Sequence, residues 1–247
     1  MLSICMQVWE LHTGFKMFSY LQLKKVNIKN VVRIFSYCFL ILTFYSGCKK
    51  SPVEEQEVYR NDFETGNLTS ITNGKLNNFN NSAVTGYYNN GGFELNLDNL
   101  SKHDLIRITF DLYIHDSWGG NNTGDGTVID GPDIWQMKVD SNAYINTTFS
   151  NVMCDEAYCL VQSYPHNYPY RTRSGEGAYS RNLPGVCLFK YVKGGTSLYK
   201  IEKIIKHKRS ILSLEFKDLL KQSNTTDPFC DESWSMDNLV ISTSILK

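Results

Sequence analysis

In the stretch "LIRITFDLYIHDSW", residues 105–118, apolar and polar side chains alternate without a break. Ile106, Ile108, Phe110, Leu112 and Ile114 stand against Arg107, Thr109, Asp111, Tyr113 and His115. Successive side chains of an extended strand point to opposite faces, so the pattern predicts a half-buried strand and excludes a helix. Phe93, Leu95 and Leu97 repeat the period, as do Trp135, Met137 and Val139, and then Leu212, Leu214 and Phe216. Pairs such as Asn73-Gly74 and Gly91-Gly92 punctuate the segments, as turn residues do. "SLYKIEKIIKH" is less regular but rich in β-formers, and "FKDLLKQS" is read as a turn or two of helix. Many short strands between turn signals predict an all-β protein, a two-sheet sandwich or barrel folded as a single domain over residues 60–247.

Residues 150–196 break this rhythm. They are irregular, aromatic-rich and hold Cys154, Cys159 and Cys187. A loop of that length is usually functional or stapled. Within it, Tyr164, Tyr168, Tyr170 and Arg171 join ring faces to hydroxyl-bonding groups, a mix suited to sugars. Trp118 and Trp234, each beside acids, complete the candidate ligand set, whereas Trp135 shares a face with Met137 and Val139 and is assigned to the core. The loop "HDSWGGNNTGDGTVIDGPD" carries Asp116, Asp125, Asp130 and Asp133 without the EF-hand spacing. Turn formation explains its Asp and Asn content better than a metal does. His115 and His166 are isolated and are read as surface or turn residues.

The two ends of the chain differ in charge. Of 25 basic and 25 acidic residues, five and one fall within residues 1–47, leaving 20 against 24 beyond. A mildly acidic body without a Lys/Arg cluster argues against a nucleic-acid partner. At the N-terminus, basic "LKKVNIKNVVR" precedes the short apolar run "IFSYCFLILTFYSGC", the layout of a secretory signal. Residues 1–47 are therefore expected to be removed, with Met17 as an alternative start. Ser46-Gly47-Cys48 resembles a bacterial lipobox, with Tyr45 where Leu, Val or Ile is preferred. That resemblance implies a lipid on Cys48, a membrane attachment through it, and residues 48–59 as a polar tether. The order of lysines then acids in "KKSPVEEQEV" resembles the surface-export signals of Bacteroidetes lipoproteins, which implies an outer-membrane or cell-surface location.

With Cys5 and Cys38 in the signal and Cys48 lipidated, Cys154, Cys159, Cys187 and Cys230 remain. An even number in an exported chain predicts disulfides. Three pairings are open, and Cys154–Cys159 with Cys187–Cys230 is favoured. A zinc site is disfavoured because no C-x-x-C spacing or nearby histidine pair exists.

Two segments carry a resemblance to a known fold. "NDFETGNLTSI" and "SWSMDNLVI" resemble the opening and closing strands of jelly-roll carbohydrate-binding modules. This implies a jelly-roll, concanavalin-like sandwich in which Glu64 and Asp237 bind one structural calcium, Asp62 adding an oxygen. "FDLYIHDSWGGN", "GPDIWQMKVD", "INTTFSN" and "DESWSMDNLVI" resemble a narrower group of secreted sandwich proteins, which supports the fold more than any activity. Parity gives Asp237 its own puzzle. Read as one regular strand, residues 235–241 put it on the face of Leu239 and Ile241. A buried, unpaired carboxylate costs several kcal/mol, so a cation or donors are expected there. No G-x-S-x-G, H-E-x-x-H or P-loop is present. The expectation is a non-catalytic protein that binds a glycan or another surface ligand. An adhesive or structural surface protein and a glycan hydrolase with an unrecognised site are the rival classes.

Overall fold

The computed structural model describes residues 52–246, apart from residues 126, 128, 129, 153, 155–158, 223 and 224. The expected signal, Met17 and Cys48 lie outside the described residues. The chain forms, in order, β1 (Pro52–Asn61), β2 (Ile71–Thr72), β3 (Leu76–Phe79), β4 (Ser82–Tyr88), β5 (Gly92–Leu97) and β6 (Leu105–Asp116). Then follow β7 (Ile134–Val139), β8 (Asn142–Thr148), β9 (Ser180–Pro184), β10 (Lys193–Lys206), β11 (Leu212–Leu219), the short helix α1 (Pro228–Asp231) and β12 (Glu232–Leu246). All pairings are antiparallel. A seven-stranded sheet runs β3-β4-β12-β6-β10-β9, with β1 also paired to β12, and a five-stranded sheet runs β2-β5-β11-β7-β8. The fold is an all-β, two-sheet sandwich of jelly-roll type.

The alternating residues build the core between the sheets. Ile106, Ile108, Phe110, Leu112 and Ile114 of β6 are buried, facing Trp135, Met137 and Val139 of β7 and Leu212, Leu214 and Phe216 of β11. Each such side chain contributes roughly 1.5–3 kcal/mol by leaving water. Two-residue turns at Asn80-Asn81 and Asp140-Ser141 join β3 to β4 and β7 to β8, and all four residues have positive φ. That is the left-handed geometry whose twist matches a hairpin, and Asn and Asp adopt it readily.

Four expectations change here. Residues 52–59, read as tether, belong to β1, which pairs with β12 from Pro52↔Leu246 to Asn61↔Leu239. The helical reading of "FKDLLKQS" fails at its start, because Phe216–Leu219 continue β11 beside β7. His115 is no surface residue: it is fully buried, with Nδ1 2.9 Å from Thr196 Oγ1 and Nε2 2.7 Å from Ser235 Oγ. Phe79 and Tyr87 close over its ring at 4.7 and 5.1 Å, and burial pulls its pKa down to about 3.

The fourth concerns Asp237. In β12 the partner of Asp237 is Asp111, but that of Val240 is Thr109, so β12 carries one extra residue. Asn238, at φ +52°, is the bulge. Before it, Trp234 and Met236 face inward; after it, Leu239 and Ile241 do. Side-chain parity therefore switches at Asn238, and Asp237 sits with Asp111 on the outer face, opposite Leu239 and Ile241. It is nonetheless 3% exposed, covered from outside by the loop after β1 and by the first residue of β4.

Candidate functional site

The end of the sandwich where β6 and β10 meet the first residues of β12 gathers most of the polar motifs. Asp116 ends β6 at φ +64° and is buried. Its carboxylate accepts the backbone N–H groups of Val186 (3.3 Å), Cys187 (3.2 Å) and Phe189 (2.8 Å). This holds residues 185–195 as an arch, and the Cys187–Cys230 disulfide fastens the arch to α1. Burial raises the Asp116 pKa, the three N–H donors oppose the rise, and Asp231 adds to it. Asn151 donates to the carbonyls of Ile114 (2.7 Å) and Asp116 (3.0 Å). Arg181 donates to the carbonyls of Ser174 and Asn151, both at 3.1 Å.

Between these elements lies a cavity of about 530 Å³. Ser117, Asn151, Arg181 and Asn182 supply polar edges, and Phe189 and Val192 an apolar wall. A few fixed polar groups converging on apolar surface describe a small-ligand site. Sequence reasoning passed over Arg181, Asn182 and Phe189, because no motif or period marks them in an irregular loop.

The expected ligand residues are not gathered there. Trp118 and Trp234 are 0% exposed, which corrects their reading as stacking platforms. The Trp234 ring packs against Tyr88 and Trp135 at 4.8 and 5.7 Å, and Trp118 against Phe149 at 6.4 Å. Parity explains Trp234, which shares the inward face with Met236. Tyr164 is half-buried and packs on Phe149 and Tyr199 at 5.0 and 5.1 Å. Tyr168, Tyr170 and Arg171 lie along the β8 edge, where Tyr168 N donates to Asn146 O (2.7 Å) and the Tyr170 ring covers His166 at 4.0 Å. Tyr170 and Arg171 are exposed. The cysteines pair as favoured, Cys154 with Cys159 and Cys187 with Cys230.

The structure does bring Glu64 and Asp237 together, at the seam where β1 and β4 succeed one another beside β12. Ser82 Oγ lies 2.6 Å from Glu64 Oε1 and 3.1 Å from Asp237 Oδ2. Ala83 N donates to Glu64 Oε1 (2.9 Å) and Asn238 N to Asp237 Oδ1 (2.6 Å). One hydroxyl proton cannot serve both carboxylates at once; Glu64 is exposed to water, whereas Asp237 is buried. Burial raises the Asp237 pKa, opposed by Asn238 and Ser82, with Asp111 and Glu64 adding to the rise. The oxygen set, two carboxylates and a hydroxyl, suits a hard cation. Asp62 is exposed and bonds Glu64 N at 3.2 Å, capping its own turn. Among the described residues no three of His, Cys, Asp or Glu are gathered closely enough to hold one ion.

A second, shallower groove of about 680 Å³ crosses the outer face of the seven-stranded sheet. Its charges are paired internally, Arg107 with Glu55 (3.1 Å) and Glu202 (3.2 Å), and Lys200 with Asp111 (3.1 Å).

No protein-family model and no curated protein matches the chain. Solved structures do match. One is a family 35 carbohydrate-binding module from Clostridium thermocellum, at 9% identity over 69% of this chain and 88% of that one, with a TM-score of 0.31. Another is a xylan-binding domain of Paenibacillus barcinonensis, at 15% identity over 75% and 98%, with a TM-score of 0.35. A third is the K3 adhesin domain of Lys-gingipain from Porphyromonas gingivalis, at 12% identity over 76% and 99%, with a TM-score of 0.33. At such scores these likenesses carry no argument about what this chain binds.

Proposed function

We propose that the domain is a non-catalytic binding protein for a hydroxyl-rich ligand, a glycan segment, held in the cavity beneath the 185–195 arch. The observation that carries this reading is the cavity lining. Asn182 and Arg181 stand at a polar edge against the Phe189 ring, so hydroxyls and a sugar's C–H face each find a matching surface. The raised-pKa carboxyls of Asp133 and Glu232 are fully buried, out of reach of a polymer. That favours binding over hydrolysis.

Two further parts belong to the same reading. A structural calcium between Glu64 and Asp237, with Ser82, joins the loop after β1 to β12 and balances two neighbouring carboxylates. A lipid on Cys48 attaches the exported chain to the outer membrane or cell surface, consistent with disulfides, which persist in oxidising compartments.

A glycan array on the full chain, followed by calorimetry on any hit, tests the proposal. Binding that falls on Asn182→Ala and Phe189→Ala is the expected result. A blank array, or binding indifferent to both substitutions, overturns it.

A further inference from the structure

Three oxygens at the same end of the sandwich are buried without any hydrogen-bond partner: Asp133 Oδ1, Glu232 Oε2 and Gln222 Oε1. Asp133 is 0% exposed and Glu232 1%. Residues 117–119 hold their segments side by side. Ser117 N donates to Asp231 O (2.8 Å), Trp118 Nε1 to Ser233 O (2.9 Å) and Gly119 N to Asp133 Oδ2 (2.7 Å). From the other side, Gln222 bridges to Asp130 through the backbone and sends Nε2 to Asp231 Oδ2 at 2.9 Å.

Three nearby donors are committed elsewhere, while Ser233 Oγ, on the residue after Glu232, is itself without a partner. Gln222 Nε2 serves Asp231, Asn122 Nδ2 serves Asp130 at 2.7 Å, and the Trp118 indole serves Ser233. An unmet buried acceptor costs about 1–3 kcal/mol, more when charged. Burial, then Asp133, Asp231 and Asp130, push the Glu232 carboxyl up to about 10, opposed by a hydrogen bond with Gln222. Acceptors without donors are what a hard cation uses: calcium takes about six to eight oxygens, from carboxylates, amide carbonyls and water.

We propose that Asp133, Glu232 and Gln222 form a cation site of calcium class, separate from the Glu64–Asp237 seam. The ion ties the 118–133 loop to the first residue of β12. Because Glu232 pairs with Asp116 across the sheet, it also stiffens the floor of the cavity. The site is independent of any glycan, so it stands or falls apart from the ligand reading.

Terbium titration of the chelator-treated full chain, excited through tryptophan, tests it, since Trp118 lies within the constellation. Calcium competition identifies the class. The decisive background is Asp237→Asn, which removes the seam as a contributor. In it, sensitised emission with calcium competition is expected to persist, and Glu232→Gln or Asp133→Asn should weaken binding at least about 100-fold, beyond what indirect changes cost. Circular dichroism confirms folding, and metal analysis of the wild-type chain gives a readout needing no variant. Undiminished affinity in both variants, or no emission and no bound calcium in folded protein, overturns the proposal.

Discussion

Strand β12 carries two buried acids five residues apart, and their surroundings are opposites. Asp237 lies at a bulge, on the outer face, where a hydroxyl and a backbone N–H already touch its oxygens. Glu232 lies at the strand's start, where an oxygen finds no donor at all. The first carboxylate is absorbed by backbone geometry and shares one hydroxyl with Glu64. The second keeps one oxygen unpartnered, although Gln222 bonds the carboxyl. An acid in an apolar-looking strand thus has two distinct physical readings, and sequence spacing alone does not separate them.

The largest effect should come from removing the geometry at the Asp237 end. Asn238→Val keeps the residue but resists the positive φ of the bulge, and drawing residue 238 into regular pairing sends each side chain beyond it to the opposite face. Leu239 and Ile241 would then face outward, so loss of a cooperative unfolding transition is expected. Asn238→Gly should retain the fold, because glycine accepts positive φ.

Next in size is the pH dependence of the group between the two acids. Burial holds His115 neutral, with a folded pKa of about 3 against ~6.5 for a free histidine. The unfolded chain binds the proton more readily, so stability is present above pH ~6.5 and lost as pH falls towards about 3, by ~4–5 kcal/mol at the limit. The raised carboxyl pKa values of Asp237 and Asp116 act in the opposite direction, their stabilisation being lost as pH rises. The histidine is therefore isolated by comparing urea unfolding of wild type and His115→Gln at pH 7 and pH 4. An identical slope in both proteins would refute the assignment.

Smaller effects sharpen the contrast at the seam. Asp237→Asn removes one charge there, and a thermal shift between calcium and chelator that is smaller in this variant than in wild type, in the Glu232→Gln background as well, would locate an ion at the seam. Ser82→Ala should cost about 1 kcal/mol, the usual net worth of a hydrogen bond. Asp62→Ala, which touches only its own turn, should stay within about 0.5 kcal/mol of wild type.

The alternation in β6, β7 and β11 was legible because a half-buried strand must sort its side chains by face, whatever lies across from it. The same logic made Trp135 a core residue. It did not reach Trp118, which sits past the end of β6 and is buried among residues distant in sequence, Phe149 and Ser233 among them. Arg181 and Phe189 were invisible for a related reason: their place depends on an arch held by Asp116, far away in sequence. β1 was missed because "EEQEV" lacks apolar alternation; its backbone is ordered by the free edge of β12.

Cysteine count and export features pointed to two disulfides, and the fold confirmed which partners meet. The pairing of Glu64 with Asp237 was legible through a family resemblance, yet its geometry was not. Sequence by itself determined the two-faced strands and hence the sandwich, because side-chain period is a local property of extended backbone. Only the tertiary structure decided on which face Asp237 lies, since a bulge is set by register against β6. It alone also brought Asp133, Glu232 and Gln222 to one place, because burial and hydrogen-bond partners are properties of the assembled fold.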